Sequence, residues 1–391
     1  MEAIGSQNSG MKRTQGELTQ ETSPAPRAVL MFWRRAPAPK AAPAAPPAAP
    51  PARLLVIQSD KYCWPALFEG QILADGRPIE VLQTGWDGLR VLAEPQSAQP
   101  LVCYCVPVDG DPADQTRRPK KRTKVVTFKP DFVLVRNEVF TPAGDYRNQL
   151  FGLMYGGARG VNSLQSLVLF AERALIGAEL QKLNRELGPD AFPVVPQCFF
   201  AGHEEMMYTQ EFPAVLKVGA AHAGMGKAKV LNHHAMADMR SLLAVSGGRY
   251  ATAERFIESA HEFRVQKIGG RIRAFKRLGV SGDWKTNTGS AMLEEVEPSA
   301  AQRAWAEHAA SLFGQDLDIL TVDTIVEEAT GKEWILEVNG TSSGLSPDTE
   351  AEDNIDIRDL VVSRMSAALC ATSPTAPAVA QMAEEAADRS P

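Results

Sequence analysis

One stretch constrains this chain more than any other: EFRVQKIGGRIRAFKRL, residues 262–278. Gly269–Gly270 is a two-residue hairpin signal, because glycine readily takes the positive φ angles that such a turn demands. The runs on either side must then pair as antiparallel strands. A second hairpin is expected in ILTVDTIVEEATGKEWILEVNG, residues 319–340. VVPQCFF, AVLKVG and YATAERFI add β segments upstream, so this half reads as antiparallel sheet.

Ahead of it a single long helix is expected from Ser163 to Leu187. Leu164, Leu167, Val168, Ala171, Leu175, Ala178 and Leu183 recur near helical spacing, Asn162 or Ser163 caps the start, and Gly188–Pro189 stops it. Helices are also expected at about 299–313 and near 356–369. RLLVI (53–57), the segment around Val102 and VVTFKPDFVLVRN (125–137) read as short strands. Helices alternating with mostly antiparallel strands indicate α/β and α+β layers.

Residues 1–52 pass from a polar segment into APAPKAAPAAPPAAPPA, which cannot bury enough apolar surface to offset its ordering entropy. A disordered tail is expected there, and a second at 368–391. AVLMFWRR, inside the first tail, could touch a membrane surface or a partner. No run approaches the roughly 18 apolar residues of a membrane span. The five cysteines form no CxxC pair, which suggests a reducing compartment, and a cytoplasmic protein is expected. Cys103 and Cys105 would share one strand face. The net charge of −6 argues against nucleic acid as a partner. RRPKKRTK, residues 117–124, is the one basic run that keeps a phosphate-rich partner in view, and its ordinary reading is a solvated loop.

The chemistry gathers in five places. AVLKVGAAHAGMGKAKV (214–230) lacks the glycine and hydroxyl of a Walker A loop, since Ala221 and Ala228 stand in their positions. It reads instead as strand, glycine loop, strand, with Gly224, Gly226 and Lys227 at the tip and Lys217 just before it. Lys217 is expected to serve a ligand and not the core. Arg173 lies on the long helix. Glu254 and Glu262 border a strand break at Phe256–Ile257, whose backbone amides can recognise a flat base. RLGVSGDWKTNTG brings Arg277, Trp284 and Lys285 on a second loop, with 282–288 expected to act as a lid. Asp323 and Glu337 lie on neighbouring strands, and Asn339 shares the face of Glu337. Both carboxylates stand within apolar strands, where an unpaired charge is costly. Two carboxylates and an amide oxygen are the hard donors that Mg²⁺ or Mn²⁺ takes when phosphates complete its shell; Ca²⁺ would want more oxygens.

Together these segments resemble the ATP-grasp superfamily, and the closer resemblance is to the synapsin family. KPDFVLVRNEVFTPAGDYRNQLFGLMYGG, VNSLQSLVLF, HAGMGKAKV, YATAERFIESAHEFRVQKIGG and VSGDWKTNTGSAMLEEV carry it. The resemblance implies a pre-ATP-grasp domain over 53–161 and an ATP-grasp fold over 162–367, binding ATP with a metal. It implies Arg173, Lys217, Lys227, Arg277 and Lys285 as phosphate contacts, the last two also catalytic. Glu254 with the Phe256–Ile257 backbone would hold adenine, Glu262 ribose, and Trp284 would sit in the closing loop. Asp323, Glu337 and Asn339 would be the metal ligands, a set closer to that of ATP-grasp ligases than to that of synapsins. Two functions stay open. One is a regulatory or scaffolding ATP-binding protein, dimeric and peripheral on vesicle membranes. The other is a working ligase that joins a carboxylate to an amine or thiol through an acyl phosphate.

Overall fold

The computed structural model describes residues 49–59, 61–97, 100–108, 124–141, 144–207, 211–220, 225–245, 250–279, 284 and 291–370. Most of both expected tails, residues 117–123 of the basic run, Gly224, and the lid apart from Trp284 lie outside them.

The chain begins with β1 (Ala52–Ile57), the short helix α1 (Trp64–Leu67) and β2 (Ile79–Thr84). Next come β3 (Leu89–Ala93), β4 (Leu101–Cys105), β5 (Val126–Phe128) and β6 (Phe132–Val135). The two-residue strands β7 (Phe140–Thr141) and β8 (Gly144–Asp145) lead into α2 (Arg147–Tyr155). β1 pairs in parallel with β2 on one side and β6 on the other. Its run LLVI is buried on both faces, which is why it is continuously apolar and not alternating. β3, β4 and β5 form a separate antiparallel sheet. Cys103 and Cys105 do share its buried face, where burial pushes both thiols up to about 12 and makes them inert.

The second half opens with α3 (Leu164–Phe170) and α4 (Arg173–Leu187), where one helix was expected. The break at Ala171–Glu172 has a packing cause. Leu164 and Leu167 go into the core of the parallel sheet, beside Val133 and Val135. Ile176 and Leu180 go into a different core, under the large antiparallel sheet. A straight helix cannot serve both. Glu172, extended at the break, accepts hydrogen bonds from Arg147 (2.7 Å) and the Tyr250 hydroxyl (3.4 Å).

The strands β9 (Gln197–Phe200), β10 (Ala214–Val218) and β11 (Lys227–Val230) follow, then α5 (His233–Val245) and β12 (Ala251–Arg255). They form a four-stranded sheet in the order β11-β10-β12-β9, with Met236 and Leu243 of α5 in its core. The remaining elements are β13 (Ser259–Ile268), β14 (Arg271–Gly279), β15 (Ala291–Val296), α6 (Ala300–Ala309), β16 (Ile319–Glu327), β17 (Glu333–Asn339) and α7 (Glu350–Leu369). Their sheet runs β15-β14-β13-β16-β17, and Gly269 turns the β13–β14 hairpin at φ 56° as its sequence requires. α6 is fixed by a capping box between Ser299 and Gln302 and sets Trp305, Ala306 and Ala309 into the core. α7 starts at Glu350, ahead of its expected position, because acidic residues in its first turn suit the helix dipole. It leaves its own half and lays Ile357, Val361 and Met365 on the parallel sheet, against Leu54, Val56 and Phe132.

Asn162, at the junction of the two halves, is fixed to the start of β16. It is buried at φ 43°, a left-handed conformation that asparagine tolerates. Its Oδ1 accepts from the amides of Asp318 and Ile319 at 2.9 Å, and its Nδ2 donates to the Ile319 carbonyl at 2.8 Å. Asn162→Gly keeps the backbone conformation and removes only these bonds; it should cost about 3 kcal/mol in urea unfolding. Asn162→Ala should cost roughly 1 kcal/mol more, from strain at positive φ.

Candidate nucleotide and metal site

The centre of the site is a row of side chains crossing three strands. Arg264 on β13 stands opposite Asp323 on β16, which stands opposite Glu337 on β17. The register shifts between Asp323 and Thr324, which adds Leu336 as an extra residue on β17. A bulge of this kind re-aims neighbouring side chains, and both Leu336 and Glu337 line one cleft. Arg264 holds Asp323 with both ends of its guanidinium: Nε donates to Oδ1 at 2.9 Å and Nη2 to Oδ2 at 3.1 Å. Asn339 donates from Nδ2 to the same Oδ2 at 3.2 Å. The Asp323 charge in turn raises the pKa of Arg264.

Glu337 is met from other elements. Arg173, the first residue of α4, donates to its Oε2 at 2.8 Å and to Asn339 Oδ1 at 3.4 Å. Lys227 reaches the same Oε2 at 3.5 Å from β11. Burial works to raise the Glu337 carboxyl, but the charges of Arg173, Lys227, Lys217 and Arg264 prevail and hold it well below the usual carboxylate range.

Lys217 faces Lys227 across the β10–β11 hairpin, which closes through Gly226 at φ 70° and a 2.8 Å bond from the Val218 amide to the Gly226 carbonyl. Lys217 also pairs with the buried Glu254 at 2.7 Å, and Gln197 donates to the other oxygen of that carboxylate at 2.7 Å. This corrects the expectation that Lys217 serves a ligand alone. Removing it would strand a buried charge. The cleft is lined by Arg173, Lys217, Gly219, Gln197, Leu336 and Glu337.

The strand break joins β12 of one sheet to β13 of the other, as a hinge would. Here the structure narrows a second expectation. The Phe256 amide is committed to the Pro213 carbonyl at 2.8 Å, so the expected base-recognition edge is reduced to the Phe256 carbonyl and the Ile257 amide. The Phe256 ring packs edge-on against Trp284, with centroids 6.0 Å apart, and Lys229 sits over it at 3.4 Å. The Ile257 side chain is buried with Val195 and Ile325. Glu262 and Arg277 face each other on β13 and β14 at 3.4 Å. Gly224 and Lys285 lie outside the described residues.

Arg173, Lys227, Glu337, Asn339 and Asp323 are thus linked by direct contacts, and the Lys217–Glu254 pair adjoins them across the β10–β11 pairing. The sequence reading missed Arg264, although Glu262, Arg264 and Gln266 alternate along β13 and mark a polar face. It also missed Arg136, just past β6. This buried arginine donates to the carbonyls of Thr341 and Ser343 (the latter at 3.1 Å), and burial lowers its pKa to about 10.

The donor set suits a hard divalent cation: two carboxylates and an amide oxygen on one face, joined by hydrogen bonds. Among the described residues no cluster of three or more His, Cys, Asp or Glu side chains could hold a metal ion. Among the described residues, no helix is long and apolar enough to cross a membrane.

Comparison with known proteins agrees with this architecture. A family model described as the synapsin ATP-binding domain matches residues 162–367, and one described as the synapsin pre-ATP-grasp domain matches 49–160. The chain is 32% identical over 316 residues to a Drosophila melanogaster protein named Synapsin, covering 80% of this chain and 29% of that protein. It thus spans less than a third of that relative's length. Among solved structures it is similar to D-alanyl-alanine synthetase A from Vibrio cholerae, with a TM-score of 0.55 at 12% identity over 82% of this chain and 99% of that one. It is also similar to a RimK domain ATP-grasp protein from Sphaerobacter thermophilus, with a TM-score of 0.52 at 16% identity over 80% and 98%. At such identities the likeness is one of fold. With a pre-ATP-grasp sheet followed by an ATP-grasp fold, and with both family domains matched along it, this chain belongs to the synapsin family.

Proposed function

We propose that the chain binds ATP with Mg²⁺ or Mn²⁺ in this cleft and uses it to activate a carboxylate for ligation. The observation that carries the reading is the position of Arg173. It lines the cleft beside Lys217 and Glu337, and it also lines a second cavity that opens beyond it. One guanidinium between two cavities suits a γ-phosphoryl group passing from a nucleotide to an acceptor.

In this reading Lys217 and Lys227 hold the α- and β-phosphates and Arg173 the γ-phosphate. The Phe256–Ile257 backbone and Glu254 serve adenine, Glu262 the ribose, and Trp284 helps cover the base. Gly224 and Gly226 let the loop approach the phosphates. Arg277 and Lys285 stabilise charge on the transferring group. Asp323, Glu337 and Asn339 would hold the divalent cation, which supplies charge neutralisation between the phosphates. An acceptor carboxylate oxygen attacks the γ-phosphorus, the bond to the β-phosphate oxygen breaks, and ADP leaves. An amine or thiol then attacks the acyl carbon, phosphate departs, and the nucleophile loses its proton to solvent or a nearby base.

Membership of the synapsin family favours a second reading, ATP binding without turnover in a regulatory or scaffolding protein. Homodimerisation and association with vesicle surfaces belong to that reading. Nucleic acid and Ca²⁺ are the less favoured partner and metal. Incubation with ATP, Mg²⁺ and a pool of amino acids and small carboxylic acids separates the two readings. Acceptor-dependent release of ADP and phosphate is expected, and its absence leaves binding alone.

Three measurements test the site. ATP affinity should fall sharply in EDTA and recover better with Mg²⁺ or Mn²⁺ than with Ca²⁺; binding indifferent to metal would end the metal assignment. Because Lys217 neutralises Glu254, its role is best read in Lys217→Met combined with Glu254→Gln. That pair should weaken ATP binding by about 2 kcal/mol relative to Glu254→Gln alone, the scale of a charge-assisted bond to phosphate. The third is acid stability. A carboxyl whose pKa is depressed by folding stabilises above its unfolded value, near 4.5, and loses that contribution as pH falls toward its folded value. Melting temperature should therefore drop less steeply below about pH 4.5 in Glu337→Gln than in the wild type.

A further inference from the structure

Two oxygens in the site are claimed twice. Glu337 Oε2 and Asn339 Oδ1 belong to the donor set that suits a divalent cation, and Arg173 holds both, at 2.8 and 3.4 Å. The grip is particular to a guanidinium, whose two terminal nitrogens reach one oxygen each; a lysine ammonium is a single point of charge. A dication at either oxygen would face that guanidinium at close range, where like charges repel strongly. Arg173 and the metal therefore exclude each other from these atoms.

The surroundings fix the oxygens and leave the arginine side chain as the movable part. Asp323 accepts from Arg264 at 2.9 and 3.1 Å, and its Oδ2 also accepts from Asn339 Nδ2 at 3.2 Å. That last bond orients the amide: its N–H group faces a carboxylate, so its oxygen is turned to Arg173. The backbone of Arg173 is pinned on both sides. The Tyr250 hydroxyl donates to the Glu172 carboxylate and accepts from the Ala174 amide, each at 3.4 Å, and its ring stacks on Phe199. The Arg173 side chain itself is only partly buried. It lies on the wall between two cavities, with Glu337 lining one and Asn339 the other.

A phosphoryl group competes for this guanidinium on better terms than Glu337 does. It offers several anionic oxygens to the planar fork, whereas Glu337 Oε2 is shared with Lys227 at 3.5 Å. We propose that Arg173 makes metal binding at Glu337 and Asn339 conditional on a nucleoside triphosphate: the guanidinium holds both oxygens until a γ-phosphate draws it off. The inference rests on the placement of the γ-phosphate at Arg173 given above, and it holds whether or not the chain turns ATP over. It gives the site a specificity that its donor set alone does not have. ADP, with its phosphates at Lys217 and Lys227, leaves Arg173 on Glu337 and Asn339, so a metal ion is held with ATP and poorly with ADP. Once a γ-phosphoryl group has left, the arginine returns to the two oxygens and the hold on the metal weakens.

The test measures binding of ADP and of a non-hydrolysable ATP analogue to the full chain by calorimetry, each in EDTA and in saturating Mn²⁺. The ratio of the two affinities reports how much better the complex holds the metal than the free nucleotide does, so chelation in solution cancels. In the wild type this ratio should be at least about tenfold larger for the analogue than for ADP. In Arg173→Met the ADP ratio should rise to within about threefold of the analogue's. Lys227→Met removes the other cation at Glu337 and should leave the contrast in place, which separates a gate from a general change of charge. Arg173→Lys keeps the charge and gives up the two-point grip. It should raise the ADP ratio at least about threefold, and it decides the matter if the methionine variant does not fold. Equal ratios above one for ADP and the analogue in the wild type would overturn the proposal and spare the nucleotide site. So would an ADP ratio unchanged in the Arg173 variants, or loss of the contrast in Lys227→Met. An analogue ratio that falls to the ADP level in Arg173→Met would overturn it too, leaving Arg173 a phosphate contact only. An analogue bound equally well in EDTA and Mn²⁺ would overturn the metal assignment along with the proposal.

Discussion

The row Arg264–Asp323–Glu337 is the constraint on which the site depends. It exists because β13, β16 and β17 pair in one register, and because side chains on a strand alternate between faces. A slip of one residue in β16 would turn Asp323 away from Arg264 and bury two unmatched charges in its place. The apolar partners on the opposite face oppose such a slip. Val265, Val322 and Val338 all lie in the core under the sheet, so moving them outward would expose that surface. Hydrophobic burial on one face thus holds the electrostatics on the other.

The charges around that row are self-satisfied. Lys217 pairs with Glu254, Arg277 with Glu262, Arg264 with Asp323, and both Arg173 and Lys227 with Glu337. A polyphosphate entering the cleft would compete with these carboxylates for the same cations. A divalent cation would take up the carboxylates so released. Each ligand then removes part of the electrostatic cost of the other, which is a physical basis for metal-dependent nucleotide binding.

Most of the antiparallel half could be read from the chain alone, since Gly269–Gly270 and the two alternating runs around Asp323 and Glu337 are local signals. Lys217 and Lys227 were also legible as the two sides of a glycine loop, though their pairing across it was set by the register of β10 and β11. What escaped was long-range. The helix expected over 163–187 has an unbroken apolar stripe, and nothing local says that its halves enter different cores. Glu254 as the partner of Lys217, and Arg136 as the clamp on residues 341–343, depend on strands and loops distant in sequence. Arg264 lies between: its polar stripe was visible, but its partner was set by sheet order.

The docking of α7 on the first sheet has a consequence for how the protein is made. β1 and β6 leave the ribosome well before α7, yet the surface that covers Leu54, Val56 and Phe132 includes Ile357, Val361 and Met365 of that helix. The final turns of α7 are also stitched back, through Ala74 to Ser366 and Arg159 to the Ala368 carbonyl. During synthesis that face of the first sheet therefore stays partly uncovered until α7 has been made. The packing of that sheet closes only after α7 has emerged, and in that interval its exposed apolar surface favours association with other chains.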